Sequence, residues 1–215
     1  MNQSMFDLLR PRGGAVAHPI YGVVTGVVTN NQDPEGLGRV KVRLPALSDQ
    51  DESWWARVAA PMAGKERGTY FLPEVDDEVL VAFENGDVHF PYILGALWSS
   101  NAKPPEANDD GNNNKRTIKS RAGHIIRLDD TDGQEKIEIV DKSGKNSIVI
   151  STSDNTITIN ADADITIKSS SGKLALSANG VEITSQAGVK IQASQNMDLQ
   201  ASGQMNVKGS IVNIN

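Results

Sequence analysis

The chain has no cysteine, so neither a disulfide nor a thiolate metal site can form. Its bulky and rigid residues run out part-way along. All ten aromatic residues lie at or before Trp98, and all nine prolines at or before Pro105. A globular core normally uses aromatics, so the two halves of the chain differ physically. The first half can build a conventional core, and the second cannot do so alone. No apolar run approaches the ~20 residues of a membrane-spanning helix. Residues 1–14 lack the apolar stretch and small-residue cleavage site of a secretory leader. The expectation is a protein made in the cytoplasm that leaves the cell, if it does, through another machine. The net charge is −6, with no basic cluster, which excludes the footprint of a nucleic-acid binder. The three histidines, His18, His89 and His124, all precede residue 148.

What the second half does contain is a rhythm. Apolar residues two apart recur about every eight positions: Ile148 and Ile150, Ile157 and Ile159, Ile165 and Ile167, Leu174 and Leu176, Val181 and Ile183, Val189 and Ile191, Met197 and Leu199, Met205 and Val207, Val212 and Ile214. Gly172, Gly180 and Gly188 keep the same spacing. A fixed period is the signature of a repeat architecture, and residues two apart share one face of a strand. One narrow apolar stripe cannot enclose a dry core, and the strand edges of a single copy would stay unpaired. Three copies wound together place three stripes on one axis and pair every edge. The expected object is an intertwined homotrimeric β-helix, a needle gaining ~4.8 Å per strand. Its shaft core would be Ile157, Ile159, Ile165, Ile167, Leu174, Leu176, Val181, Ile183, Val189, Ile191, Met197, Leu199, Met205 and Val207. Beyond them Ile211, Val212, Asn213, Ile214 and Asn215 would leave a blunt, uncovered last rung, read as a docking platform for a separate tip.

The first half is rich in short strands. Residues 21–28 form a β-branched run, and residues 30–38 carry turn signals at Asp33-Pro34 and Gly36. Val40, Val42 and Leu44 alternate with Arg39, Lys41 and Arg43. Residues 54–60 read as a strand, and residues 68–72 lead to Pro73. Val79, Val81 and Phe83 share a face, and Asn85-Gly86-Asp87 marks a hairpin turn. Residues 91–98 close the unit. Five or six such strands in ~80 residues suggest a small barrel. Residues 1–17 form an N-terminal arm, where Met5, Phe6, Leu8 and Leu9 cluster; a docked helix on a neighbouring hub protein and a frayed terminus both fit. Residues 18–98 are the barrel. Residues 99–120 are a polar linker expected to be exposed. Residues 121–215 are the shaft, whose first strands are His124-Ile125-Ile126-Arg127-Leu128 and Ile137 to Ile139.

These residues resemble a family. Gly38-Arg39-Val40-Lys41-Val42-Arg43-Leu44-Pro45, Trp54-Trp55-Ala56-Arg57-Val58-Ala59, Gly68-Thr69-Tyr70-Phe71-Leu72-Pro73, the run from Asp77 to Asp87, and Pro91-Tyr92-Ile93-Leu94-Gly95 resemble the OB-fold of phage baseplate spike proteins and of VgrG proteins of type VI secretion. Ser120-Arg121-Ala122-Gly123-His124 and Lys136-Ile137-Glu138-Ile139 resemble the start of the family's shaft. The resemblance implies an all-β protein, an OB-fold barrel followed by a trimeric β-helix. Only ~17 residues precede the barrel, no lysozyme-like insert follows it, and no His-x-His tip ends the shaft. The implied object is a minimal spike in a virion or phage tail-like particle. Other chains would supply the tube hub at the N-terminal end and a PAAR-type tip at the C-terminal end, and the target membrane would be met only transiently.

Other functions fit less well. Trp54, Trp55, Tyr70 and Phe71 on an OB-fold suggest oligonucleotide stacking, but the acidic charge opposes it, and packing in the barrel or between copies is the expectation. Asp76-Asp77-Glu78 and Asp129-Asp130 read as solvated loop carboxylates rather than an acid–base pair. His89 and His124 read as surface or packing residues. The calcium-binding nonapeptide of other β-helices is absent. A carbohydrate-binding or cleaving tailspike needs coils of roughly 20 residues, a hexapeptide acyltransferase a period of six, and an adhesin stalk no barrel. No catalytic residue, cofactor or metal is expected.

Overall fold

The computed structural model describes residues 19–214, all of it β-structure and irregular chain apart from one short 3-10 turn at Glu84–Gly86. Met5, Phe6, Leu8, Leu9 and His18, and Asn215 at the other end, lie outside the described residues. The chain divides into two compact units between Ala163 and Asp164.

The first unit opens with β1 (Val24–Asn30), β2 (Lys41–Leu44), β3 (Ser48–Glu52), β4 (Arg57–Val58), the small pair β5 (Ala63–Gly64) and β6 (Arg67–Gly68), then β7 (Glu78–Phe83) and β8 (Pro91–Ala96). Six of these form one sheet in the order β3-β2-β1-β7-β8-β4. All its pairings are antiparallel except that of β4 with β8. Val40 and Ala56 exchange backbone hydrogen bonds of 3.0 and 2.7 Å, which draws the β4 end back toward β2 and curls the sheet into a half-barrel consistent with an OB-fold. Alternation decides what faces inward. In β7, Val79, Val81 and Phe83 are buried and the residues between them only partly so. Val28, Val40, Val42, Leu44, Ala56 and Ile93 complete the core.

Two glycines are fixed by close packing. A Cβ on Gly26 would sit 3.2 Å from both Leu44 and Val81. Gly86 adopts φ 78° beneath Pro19, and a Cβ there would come within 2.9 Å of the proline ring. The hairpin expected at residues 85–87 is therefore a tight left-handed turn, with Asn85 also at positive φ. The strand expected over residues 54–60 shrinks to β4, since Ala56 spends its backbone on Val40 and residues 59–60 run on irregularly.

Next along the chain is a five-stranded antiparallel meander, β9 (Lys115–Lys119), β10 (Ile125–Asp129), β11 (Lys136–Val140), β12 (Ser147–Ser151) and β13 (Thr156–Asn160), each paired to the next. Residues 115–119, read from the sequence as the end of the linker, are thus its first strand. Every register is regular.

In the second unit the pattern changes. Among the described residues of 164–214 there is no strand ladder, and every residue is exposed. Irregular stretches alternate with bends at 170–172, 179, 186–187, 194–195, 202–203 and 210–211. The eight-residue rhythm of the sequence is therefore a rhythm of chain direction as well.

Candidate functional site

The meander is a sheet turned inside out. Its registers align Ile118, Ile126, Ile139, Ile148 and Ile159 in one row across five strands, and Leu128, Ile137, Ile150 and Ile157 in a second. Both rows lie on one face, because in each strand their members are two residues apart. Each of these nine side chains is at least 40% exposed. The first row floors a shallow groove of about 500 Å³. A contiguous exposed apolar surface of this kind marks an interaction site. Covering one half-exposed Ile gains roughly 1 kcal/mol, about half the value of full burial.

The opposite, polar face is the better covered one. Arg127 donates to Glu106 at 2.9 Å and to Glu138 at 3.2 Å, and Lys136 reaches Glu138 at 3.0 Å. The Thr117 hydroxyl also donates to Glu106, at 2.7 Å. The Glu138 side chain is only 12% exposed. Glu106 belongs to residues 99–114, and through it this otherwise exposed segment is pinned onto β9 and β10. The Thr117 hydroxyl first, and then the Arg127 charge, hold the Glu106 carboxyl below the usual range. Turn residues lock the connections. Asp141 accepts from the Ser143 hydroxyl, from the Asn146 backbone N–H and from the Asn146 side-chain amide. Ser143 first, then Asn146, lower its pKa from 3.8 to about 2.

All fourteen proposed shaft-core residues, from Ile157 to Val207, are exposed in the single copy; only Ile157 and Ile159 lie within a ladder. Ile211, Val212 and Ile214 are exposed too. Ile118, Ile126 and Leu128 belong to the meander rows that contain Ile157 and Ile159 but were missed as site residues. The signal was weak: in β9 a single Ile stands among four polar residues, and in β10 Ile125 breaks the alternation.

Trp54, Trp55, Tyr70 and Phe71 do not fill the barrel, whose core takes only Phe83 among the aromatics. Trp54, Tyr70 and Phe71 are exposed, and Trp55 is half-buried beneath Arg39 and Lys41, 5.9 and 5.6 Å from its ring centre. Arg39 is itself gripped by Asp33, with hydrogen bonds of 2.9 and 2.7 Å, and the guanidinium drives the Asp33 carboxyl far below its usual range. Asp129 corrects the reading of solvated loop carboxylates: it is buried and accepts from the Thr131 hydroxyl and N–H. Asp77 accepts from the Glu74 N–H. His89 Nδ1 lies 2.6 Å from Asp87, and His124 Nδ1 accepts from the Lys142 N–H. No group of three or more carboxylate or imidazole side chains that could hold a metal occurs among the described residues, and no helix among them is long and apolar enough to cross a membrane.

Residues 24–98 match the family described as the type VI secretion system/phage-baseplate injector OB domain. Residues 24–98 form an injector OB domain. The span runs from the first residue of β1 to just past β8. Curated relatives extend the likeness. The type VI secretion system spike protein VgrG3 of Vibrio cholerae is 28% identical over 138 residues, 61% of this chain and 13% of that protein. VgrG2a of Pseudomonas aeruginosa is 29% identical over 150 residues, 66% of this chain and 17% of that protein. VgrG5 of the same species is 34% identical over 124 residues, 54% of this chain and 16% of that protein. Over this shared stretch the chain is similar to VgrG spike proteins, and the stretch spans less than a fifth of these relatives' length.

Proposed function

We propose that this VgrG-like chain is the central spike of a contractile tail or injection machine. Three copies associate through their apolar stripes. The OB domain engages the tube hub, and the rungs of residues 164–214 form a β-helical needle driven through the target envelope when the sheath contracts. A PAAR-type tip protein docks on the last rung. The role is mechanical and needs no catalytic residue, cofactor or metal. The observation that carries the reading is the coupling of an injector OB domain to a stretch of nine apolar pairs that the single copy leaves exposed. Intertwining suits puncture, because separating the chains means breaking most strand pairs together.

The experiment is particle purification. Antibody against this chain should label one end of a purified contractile particle, the end opposite the collar, and tube and hub proteins should co-purify with it. Label spread along the whole particle or confined to free protein would contradict the reading.

A further inference from the structure

Asparagine is followed by glycine twice in the chain, at Asn85-Gly86 and at Asn179-Gly180. Such a pair carries a reaction of its own. The asparagine side chain is thermolabile, and a glycine after it, lacking a Cβ, leaves its backbone nitrogen open to the neighbouring side-chain amide. Both asparagines are exposed, so access to solvent does not distinguish them. Their backbones do. Asn85 is held at φ 51° and ψ 25°, which keeps its side chain away from the Gly86 nitrogen. Gly86 is buried, with φ 78°. Its carbonyl accepts from the Ile20 N–H at 2.9 Å, and the Asp87 N–H closes the turn onto the Glu84 carbonyl at 3.0 Å. Pro19 packs over the Gly86 Cα. Any reaction at Asn85 therefore waits for local opening of this turn.

Asn179 has no such restraint. It forms a bend between the Leu174 and Leu176 pair and the Val181 and Ile183 pair. Neither Asn179 nor Gly180 takes part in a hydrogen bond with another described residue. Around Gly180 the space that a Cβ would fill is open, with nothing within 4 Å. The backbone nitrogen and the side-chain amide can thus approach each other without breaking any contact.

We infer that Asn179 is a site of spontaneous deamidation and isoaspartate formation, whereas Asn85, in the same dipeptide, is protected by its turn. The Gly180 nitrogen loses its proton and attacks Asn179 Cγ. A nitrogen–Cγ bond forms, the bond from Cγ to the side-chain nitrogen breaks, and ammonia leaves. Water then opens the five-membered imide at one of its two carbonyls. Opening at Cγ gives aspartate, and opening at the backbone carbonyl gives isoaspartate. No oxidant or reductant takes part. Either product adds one negative charge to the chain. Isoaspartate also routes the main chain through the former side chain, which inserts one extra carbon between two apolar pairs of the repeat.

The test incubates the purified full chain in neutral and in mildly alkaline buffer and follows both sites by peptide mapping. The tryptic peptide 174–190 has Asn179 as its single asparagine. It should gain one dalton with time, faster in the alkaline buffer, and become a substrate for isoaspartyl methyltransferase. Conversion at Asn85, placed by fragmentation of its own peptide, should be slower by about tenfold or more, because its turn must open first. An unchanged peptide 174–190, or equal rates at the two sites, overturns the inference. In concentrated urea the two rates should converge; a difference that survives there shows that the turn is not the cause and overturns it as well. Gly180→Ala should slow conversion at residue 179 several-fold, because a Cβ then crowds the attacking nitrogen, and an unchanged rate would contradict the attack by that nitrogen.

Discussion

At the residue scale, stability of the first unit rests on a small aliphatic core and on carboxylates with donors arranged around them. Ile93 is fully buried among Val28, Val79 and Val81. Ile93→Ala should destabilise the OB domain by about 3 kcal/mol through lost burial and a residual cavity, read as a lower urea midpoint in tryptophan fluorescence; a loss under ~1 kcal/mol would mean the core repacks. The carboxylates make stability depend on acid. Asp33, Glu106, Asp129 and Asp141 all have pKa values below those of free carboxylates. Groups depressed in the folded state contribute stability that is present above the unfolded pKa and lost as pH falls through the folded one. The urea midpoint should therefore hold from neutral pH to about 4 and drop between about 4 and 2, the interval bounded by the ordinary and the shifted value for Asp141. A midpoint that stays flat through that interval would show these contacts to be absent in solution.

At the element scale, strands that bury one face were legible and strands shaped by their neighbours were not. The alternation in β7 gives its bounds directly, because Val79, Val81 and Phe83 point into the core while Glu78, Leu80 and Ala82 do not. β9 carries one Ile among Lys, Arg and Thr, so composition alone reads as linker; pairing with β10 makes it a strand. Of the two places expected for the aromatics, the barrel and contacts between copies, the barrel takes only Phe83 beside Val, Ile, Leu and Ala56, which leaves Trp54, Tyr70 and Phe71 on the surface of the single copy. The apolar pairs were legible because period two survives whether or not a partner is present, but nothing in the residues says that β9 to β13 pair within one copy while 164–214 do not. That difference sets an expectation for the rungs. In the proposed trimeric needle, Ile183→Asp would bury three carboxylates at one level, each costing several kcal/mol or shifting its pKa. Hydrogen-exchange protection around residues 181–191 should be lost in that variant and kept in Glu182→Lys. Equal protection in the two would mean that the stripe does not face the axis.

At the scale of the whole molecule, the meander's covered carboxylate and exposed aliphatic rows are what the proposed association of copies would explain. Glu138 is nearly covered while Ile157 is 71% exposed, the reverse of a self-sufficient domain. The last rung obeys the same logic. Ile211, Val212 and Ile214 are exposed, and in the proposed trimer three uncovered chain ends would invite association. Deleting residues 210–215 should leave the trimer intact and abolish retention of a PAAR-type tip protein in co-purification; a tip still retained would place its docking elsewhere, and loss of the trimer would make the last rung structural. The most direct measurement is the native mass of the purified full-length chain by light scattering across a range of dilutions. A species of three times 23.1 kDa that persists on dilution is the expected result. A folded monomer with native tryptophan emission would contradict it.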